Sequence, residues 1–244
     1  AQMEINLQHG NPLDLADQVF LFKRTLRQSA LKHKLYATFM AKPMENQPGS
    51  SLHLHQSLYD KKTKQNIFVD KKNTISNLMK NYIGGLQEYT PKLMPIHAPN
   101  VNSYRRLFAT WDAPRNTKWG IGNRSCGFRI PSNEENSMRI ENRISGSDTN
   151  PYLIFAANLA AGYLGMKNKI KPTEETKKSV FDDKKSSLPK NMEESILLFE
   201  KDEQISEVFS QKFVRTIAAI RRVEYQAYLK VISSWEREYL LLNV

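Results

Sequence analysis

Two histidines one residue apart, His53 and His55, stand in the run Gly49-Ser50-Ser51-Leu52-His53-Leu54-His55-Gln56-Ser57. On a β-strand alternate side chains share a face, so both imidazoles would point the same way. Such a pair suits a divalent metal or a polyanion, and the plainer alternative is two surface histidines. A second run, Met138-Arg139-Ile140-Glu141-Asn142-Arg143, carries the same two-residue period. As a strand it would set Arg139, Glu141 and Arg143 on one face and Met138, Ile140 and Asn142 on the other. An Arg-Glu-Arg row facing a cleft needs anions or a cation to balance it, although a surface ladder of salt bridges would also account for it. Glu141 with His53 would make a nitrogen-plus-oxygen pair for a divalent ion.

Further arginines cluster in Asn102-Ser103-Tyr104-Arg105-Arg106-Leu107, followed by Asp112-Ala113-Pro114, and in Asn123-Arg124-Ser125 and Arg129. These read as loop segments, where binding groups concentrate. Interleaved with apolar and aromatic residues, guanidinium groups of this kind recognise carboxylate or phosphate in partly buried sites. The lysines sit instead in polar stretches such as Asp60-Lys61-Lys62-Thr63-Lys64 and residues 177–185. The net charge of +11, from 36 basic and 25 acidic residues, therefore reads as an anionic small-molecule site plus a lysine-rich surface. A nucleic-acid module is the weaker alternative.

The elements that must carry these residues follow from pattern. Asn11-Pro12 opens a helix to about residue 34, with Leu13, Leu15, Val19, Phe20 and Leu26 on its apolar side. Residues 35–40 are strand-like, 51–59 form the histidine strand, and 61–73 a charged excursion. A helix spans about 74–89, after which Pro91, Pro95 and Pro99 break the chain into loop. Short strands follow at 119–121, 127–130 and 138–144, then an Ala-rich helix from Asn150-Pro151 to about 166. Residues 167–190 read as an exposed linker, and 192–244 as helical, closing on one long amphipathic segment over about 210–241. The order predicts an α+β fold, a curved and mostly antiparallel sheet backed by helices with a helical C-terminus. The chain of 244 residues, 40% hydrophobic and 25% charged, is globular in composition. The lone Cys126 excludes an internal disulfide framework and fits a reducing cytosol, and neither a run of about 18 apolar residues nor a signal peptide is present. A cytoplasmic location, with no membrane partner, is expected.

Several of these runs occur in an order that resembles the glutamine synthetase family: Lys42-Pro43, Gly49-Ser50, His53-Leu54-His55-Gln56-Ser57, Asn102 to Leu107, Ala113-Pro114, Asn123-Arg124-Ser125 through Arg129-Ile130-Pro131, Arg139 to Arg143, and Asn150-Pro151-Tyr152. The resemblance spans essentially the whole chain as one unit, residues 1–244, the C-terminal part of a catalytic domain. Phe39-Met40-Ala41-Lys42-Pro43-Met44 and the helix Ala-Ala-Asn-Leu-Ala-Ala-Gly-Tyr-Leu-Gly look most like the γ-glutamylpolyamine synthetase branch.

The resemblance implies a ligase in which ATP phosphorylates the glutamate side-chain carboxylate and an amine displaces phosphate. It places glutamate against Gly49, Arg106 and Arg143, and ATP or its transferring phosphate against His55, Gln56, Ser57, Arg124, Arg129 and Arg139. Mg²⁺ or Mn²⁺ would be held by Glu4, His53 and Glu141, and Asp112 with Arg124 would act in catalysis. Partners would be glutamate, ATP and an amine, with no nucleic acid, in a ring-shaped homo-oligomer whose sites lie between subunits. Three departures stand out: Asp112 occupies the place of a family glutamate, Pro48 that of an asparagine in ammonia-using members, and the loop from Pro131 to Arg139 is one residue shorter than in common bacterial members. Pro48 favours a polyamine such as putrescine over ammonia. Glutamine synthesis proper and a non-catalytic binding relative are the alternatives. The family's small N-terminal β-grasp domain and further metal-binding glutamates precede the position of Glu4, so the isolated chain is expected to turn over little or nothing.

Overall fold

The computed structural model describes residues 2–109, 113–131, 137–183 and 185–244. Helix α1 (Pro12–Lys32) starts where Asn11 caps it, its Oδ1 accepting from the Leu13 amide at 3.0 Å, with Pro12 in the first turn where no amide donor is needed. The residues after it do not form the expected strand at 35–40. A strand requires a partner ladder, and here the Leu35 amide is spent on Ala30 O of α1 while Phe39 O accepts from Ser147 Oγ.

The sheet is built from four three-residue strands: β1 (Leu54–Gln56), β2 (Trp119–Ile121), β3 (Phe128–Ile130) and β4 (Ile140–Asn142). Their spatial order is β1-β4-β3-β2, antiparallel at β1–β4 and β4–β3 and parallel at β2–β3. Parallel neighbours normally need a long crossover. Strands this short need only about 10 Å of return, within reach of the connecting residues 122–127, and Gly122 takes the positive φ of 66° that starts the turn.

Helices α2 (Asn77–Tyr89) and α5 (Pro151–Lys167) pack behind the sheet. They cross where Gly85 meets Gly165; a Cβ on Gly85 would lie 2.1 Å from Ala161 O, so backbones this close admit no side chain there. Phe68, Tyr82, Ile83, Leu86, Phe128, Ile140 and Ile154 fill the core around the crossing.

The prolines after α2 do not open the chain into loop. Pro91 and Pro95 fall in the first turns of a 3-10 turn (Thr90–Leu93) and of α3 (Met94–His97), positions that tolerate a missing amide donor. The expected arginine loop over 102–107 is helix α4 (Val101–Phe108), started by a reciprocal capping box between Asn100 and Ser103.

The described residues of 168–190 are irregular but strapped down rather than free. The Thr176 amide donates to Trp119 O at 2.8 Å, Trp119 Nε1 to Thr173 O at 2.8 Å, and Asn123 Nδ2 to Thr176 O and Lys178 O. β2 is an edge strand whose outer polar groups need partners, and the strap supplies them. The chain ends in α6 (Met192–Lys201), α7 (Glu203–Phe209), α8 (Gln211–Leu229) and α9 (Ser234–Leu240). The single amphipathic helix expected over 210–241 is thus two, parted where Ser233 caps α9 in a box with Glu236. No helix among the described residues is long and apolar enough to cross a membrane.

Candidate functional site: an arginine and histidine cluster around Glu141

The alternation read from β4 places its side chains as expected. Met138, Ile140 and Asn142 are fully buried in the core, while Arg139, Glu141 and Arg143 face the other way. Register then does what no local pattern could. Glu141 pairs with His55 of β1 on one side and with Arg129 of β3 on the other.

Its carboxylate becomes the hub of the face. Oε1 accepts from Arg143 NH1 at 2.7 Å and faces His53 Nδ1 at 3.2 Å, and Oε2 accepts from Arg129 NH1 at 3.0 Å. His55 Nε2 stands 3.9 Å from Oε1, and its Nδ1 accepts from Arg139 Nε at 3.1 Å. Burial works against ionisation of Glu141, but the His53 hydrogen bond and the positive charge of Arg143 outweigh it and hold the carboxyl at about 2. For His55, burial lowers the pKa more than the charge of Glu141 raises it, and the neighbouring Arg139 lowers it further. It is therefore neutral at pH 7, with the Arg139 bond taking Nδ1 and the hydrogen left on Nε2 toward Glu141.

One carboxylate cannot balance three guanidinium groups. Arg129 Nε and Arg143 Nε are buried without a hydrogen-bond partner, donors left over for a bound anion. The face is suited to carboxylate and phosphate groups.

Behind it a buried polar network holds the strands in register. Asn142 Nδ2 and Gln56 Nε2 both donate to Asn158 Oδ1 of α5, at 2.7 and 3.2 Å, and Tyr82 OH of α2 donates to Gln56 Oε1 at 2.7 Å. Gln56, expected as a nucleotide contact, has its side chain engaged in this network. As the residue after His55 on a strand, its side chain points to the opposite face and ties β1 to the helices. Asn158 and Tyr82 were missed at the sequence level. A lone asparagine inside the Ala-rich apolar helix was the available signal, since a polar group buried there must be bonded.

The other expected residues are spread around the hub. Arg106, on α4, is buried and donates through NH2 to Ile144 O at the exit of β4. Gly49 lies directly on it, where a Cβ would meet Arg106 Cγ at 2.4 Å. The loop bearing Gly49 is fastened to α4 by a reciprocal pair, the Lys42 amide to Asn102 Oδ1 and Asn102 Nδ2 to Lys42 O. Arg124 is exposed in the β2–β3 connection and Ser57 is exposed just past β1. Glu4 is exposed on the extended N-terminal segment, held near Gly49 by the Gln2 side chain bonding Gly49 O and Ser50 Oγ. Asp112 lies outside the described residues.

His53 and Glu141 offer an imidazole nitrogen and an ionised carboxylate, donors that fit Mg²⁺ or Mn²⁺. The described residues gather no group of three or more His, Cys, Asp or Glu for a metal.

The site is thus a strand-borne carboxylate ringed by arginines and histidines on an α+β scaffold. The family profile "Glutamine synthetase, catalytic domain" matches residues 1–240, and the chain belongs to that family. It is 33% identical over 243 residues to gamma-glutamylputrescine synthetase PuuA of Escherichia coli (strain K12), covering 99% of this chain and 51% of that protein. It is 35% identical over 258 residues to the glutamine synthetase of Pyrococcus horikoshii, covering 98% and 57%. Against the solved GmaS/ADP complex it superposes with a TM-score of 0.86 at 30% identity, covering 95% of this chain and 55% of that one. The chain spans about half the length of the curated relatives it matches.

Proposed function

We propose that this chain is catalytic machinery of an ATP-dependent ligase that joins an amine to the side-chain carboxylate of glutamate through a γ-glutamyl phosphate. The observation that carries the reading is the Glu141 hub, an ionised carboxylate between two histidines with three arginines whose charge it cannot neutralise. Phosphoryl transfer spreads negative charge over the equatorial oxygens of the moving group, so cations fixed in place beforehand stabilise its transition state.

In this reading Arg129 and Arg139, with Arg124 from the adjoining connection, gather the phosphate, and His55 and Ser57 contact the nucleotide. Arg143, Arg106 and the backbone at Gly49 hold glutamate. Glu4, His53 and Glu141 contribute to the metal set, and the bound Mg²⁺ or Mn²⁺ would offset phosphate charge. Asp112 takes the incoming amine's proton. The full enzyme is a ring-shaped homo-oligomer with sites shared between subunits.

The amine is a polyamine such as putrescine rather than ammonia. Pro48 supports this, and so do relatives named for organic amines, PuuA and the glutamate–isopropylamine ligase of Pseudomonas sp, which is 32% identical over 240 residues.

The test has two arms. Calorimetry of ADP with Mn²⁺ should detect binding to this chain that weakens about tenfold or more in Arg139→Ala and in Glu141→Gln, each of which removes a charged contact. ADP release by the full enzyme is then measured with glutamate, Mg²⁺ and either putrescine or ammonium. A preference for putrescine supports the amine assignment and a preference for ammonium overturns it. ADP binding indifferent to both substitutions would overturn the site.

A further inference from the structure

A second basic concavity lies away from the Glu141 hub, between α1, the loop that leaves β4 and the start of α5. Its volume is about 580 Å³, within the range of small-molecule pockets. Lys23, Arg24, Arg27 and Arg221 line it, against a single carboxylate, Asp148. We propose that this cleft is a binding site for a small phosphate-bearing anion, held by Arg24 and Arg27 over a floor built on Lys23 and the start of α5.

The cations differ in how far they are committed. Lys23 belongs to the floor, its ammonium donating to Ser147 O at 2.5 Å and Thr149 O at 3.0 Å. Burial, and to a lesser degree the charge of Arg27, pull its pKa down to about 8 against the opposing effect of Asp148. Arg221 is half spent, donating to Glu224 Oε2 at 2.8 Å and to Pro95 O at 3.3 Å. Arg24 and Arg27 have no carboxylate partner among the described residues. The Arg27 guanidinium lies 5.0 Å from the Phe39 ring centroid, a cation–π contact that orients it without neutralising it.

The single charge of Asp148 offsets only part of this field. Its Oδ2 accepts from Asn100 Nδ2 at 2.8 Å and Ser103 Oγ at 2.6 Å, and its Oδ1 is buried. It is already used to fix the start of α4. The N-terminus of the 17-residue α5 adds its dipole, capped by Asn150, whose Oδ1 accepts from the Tyr152 and Leu153 amides. Fork-shaped arginine donors match phosphate oxygens in geometry, which favours phosphate over a single carboxylate. Phe20 and Pro151 on the rim supply the apolar surface a small organic phosphate would cover.

The probe is pyrophosphate, titrated at about 0.15 M salt, where bulk attraction between exposed charges is damped, and followed by the backbone amide resonances of Thr149 and Asn150. Saturable shifts at these amides are expected. The double variant Arg24→Ala/Arg27→Ala, both exposed positions, should weaken them about tenfold or more, since each loses a charge-assisted contact. Arg139→Ala, at the separate hub, should leave them unchanged. Shifts that persist undiminished in the double variant, or that vanish in Arg139→Ala, would overturn the site. Citrate binding as tightly as pyrophosphate would overturn its assignment to phosphate.

Discussion

Asn158→Leu tests the claim that a buried network, rather than the three-residue strands alone, keeps the histidines opposite Glu141. Leucine keeps the branching of asparagine and replaces its amide atoms with methyls, so it removes the polar contacts at the cost of some added volume. Asn158 is fully buried, and its Oδ1 is the acceptor for Asn142 Nδ2 and for Gln56 Nε2. The fully buried Asn142 donor would be stranded, at about 1–3 kcal/mol. Gln56 is only half-buried and can turn toward water, so its share falls at the low end of that range. The sum is about 2–4 kcal/mol, a large fraction of the 5–15 kcal/mol typical of a folded domain. Urea denaturation at pH 7 measures it. The ring resonances of His53 and His55 should shift as well, because β1 loses a fastening to α5. Adding Asn142→Leu should recover little, because it removes one stranded donor but strands another, the Ile144 amide that Asn142 Oδ1 accepts at 2.9 Å. An Asn158→Leu protein within about 0.5 kcal/mol of the parent, with unmoved histidine resonances, would refute the reasoning.

Three further outcomes follow from named contacts. His97 is fully buried, with Nδ1 beside Ser145 Oγ at 3.0 Å and Nε2 unpartnered, and burial pushes its pKa down to about 3. Because the folded value lies below the unfolded one of about 6.5, the unfolded state takes up the extra proton. Stability is full above pH 6.5 and declines at about 1.4 kcal/mol per pH unit as pH falls from 6.5 toward 3; His97→Asn should flatten that part of the difference curve in urea titrations. Gly85→Ala should destabilise by about 1–3 kcal/mol through overpacking at the helix crossing, read as a drop in Tm. Asp183→Asn breaks the pair with Lys118 at 2.8 Å, but both side chains are at least a third exposed, so less than about 1 kcal/mol should be lost.

Covalent geometry made part of this legible from the chain alone. Alternation along a strand is a property of the backbone, so the shared face of Arg139, Glu141 and Arg143 and that of His53 and His55 were both readable. Asn11-Pro12 and Asn150-Pro151 announced α1 and α5, because a cap and a first-turn proline act within a few residues of themselves. What depended on distant partners was not readable. Residues 35–40 have strand-like composition but no neighbouring ladder, and residues 167–190 look like a polar linker until the open edge of β2 lies beside them. The bonds of Gln56 to Asn158 and Tyr82 likewise depend on β1 pairing with β4 in front of the helices. The Glu141 hub is the clearest case. Strand pairing brings His55, 86 positions before Glu141 in the chain, and Arg129, 12 before it, to the two sides of one carboxylate. Local periodicity sets which face a side chain takes, whereas its neighbours on that face are set by register between segments that meet only when the core closes.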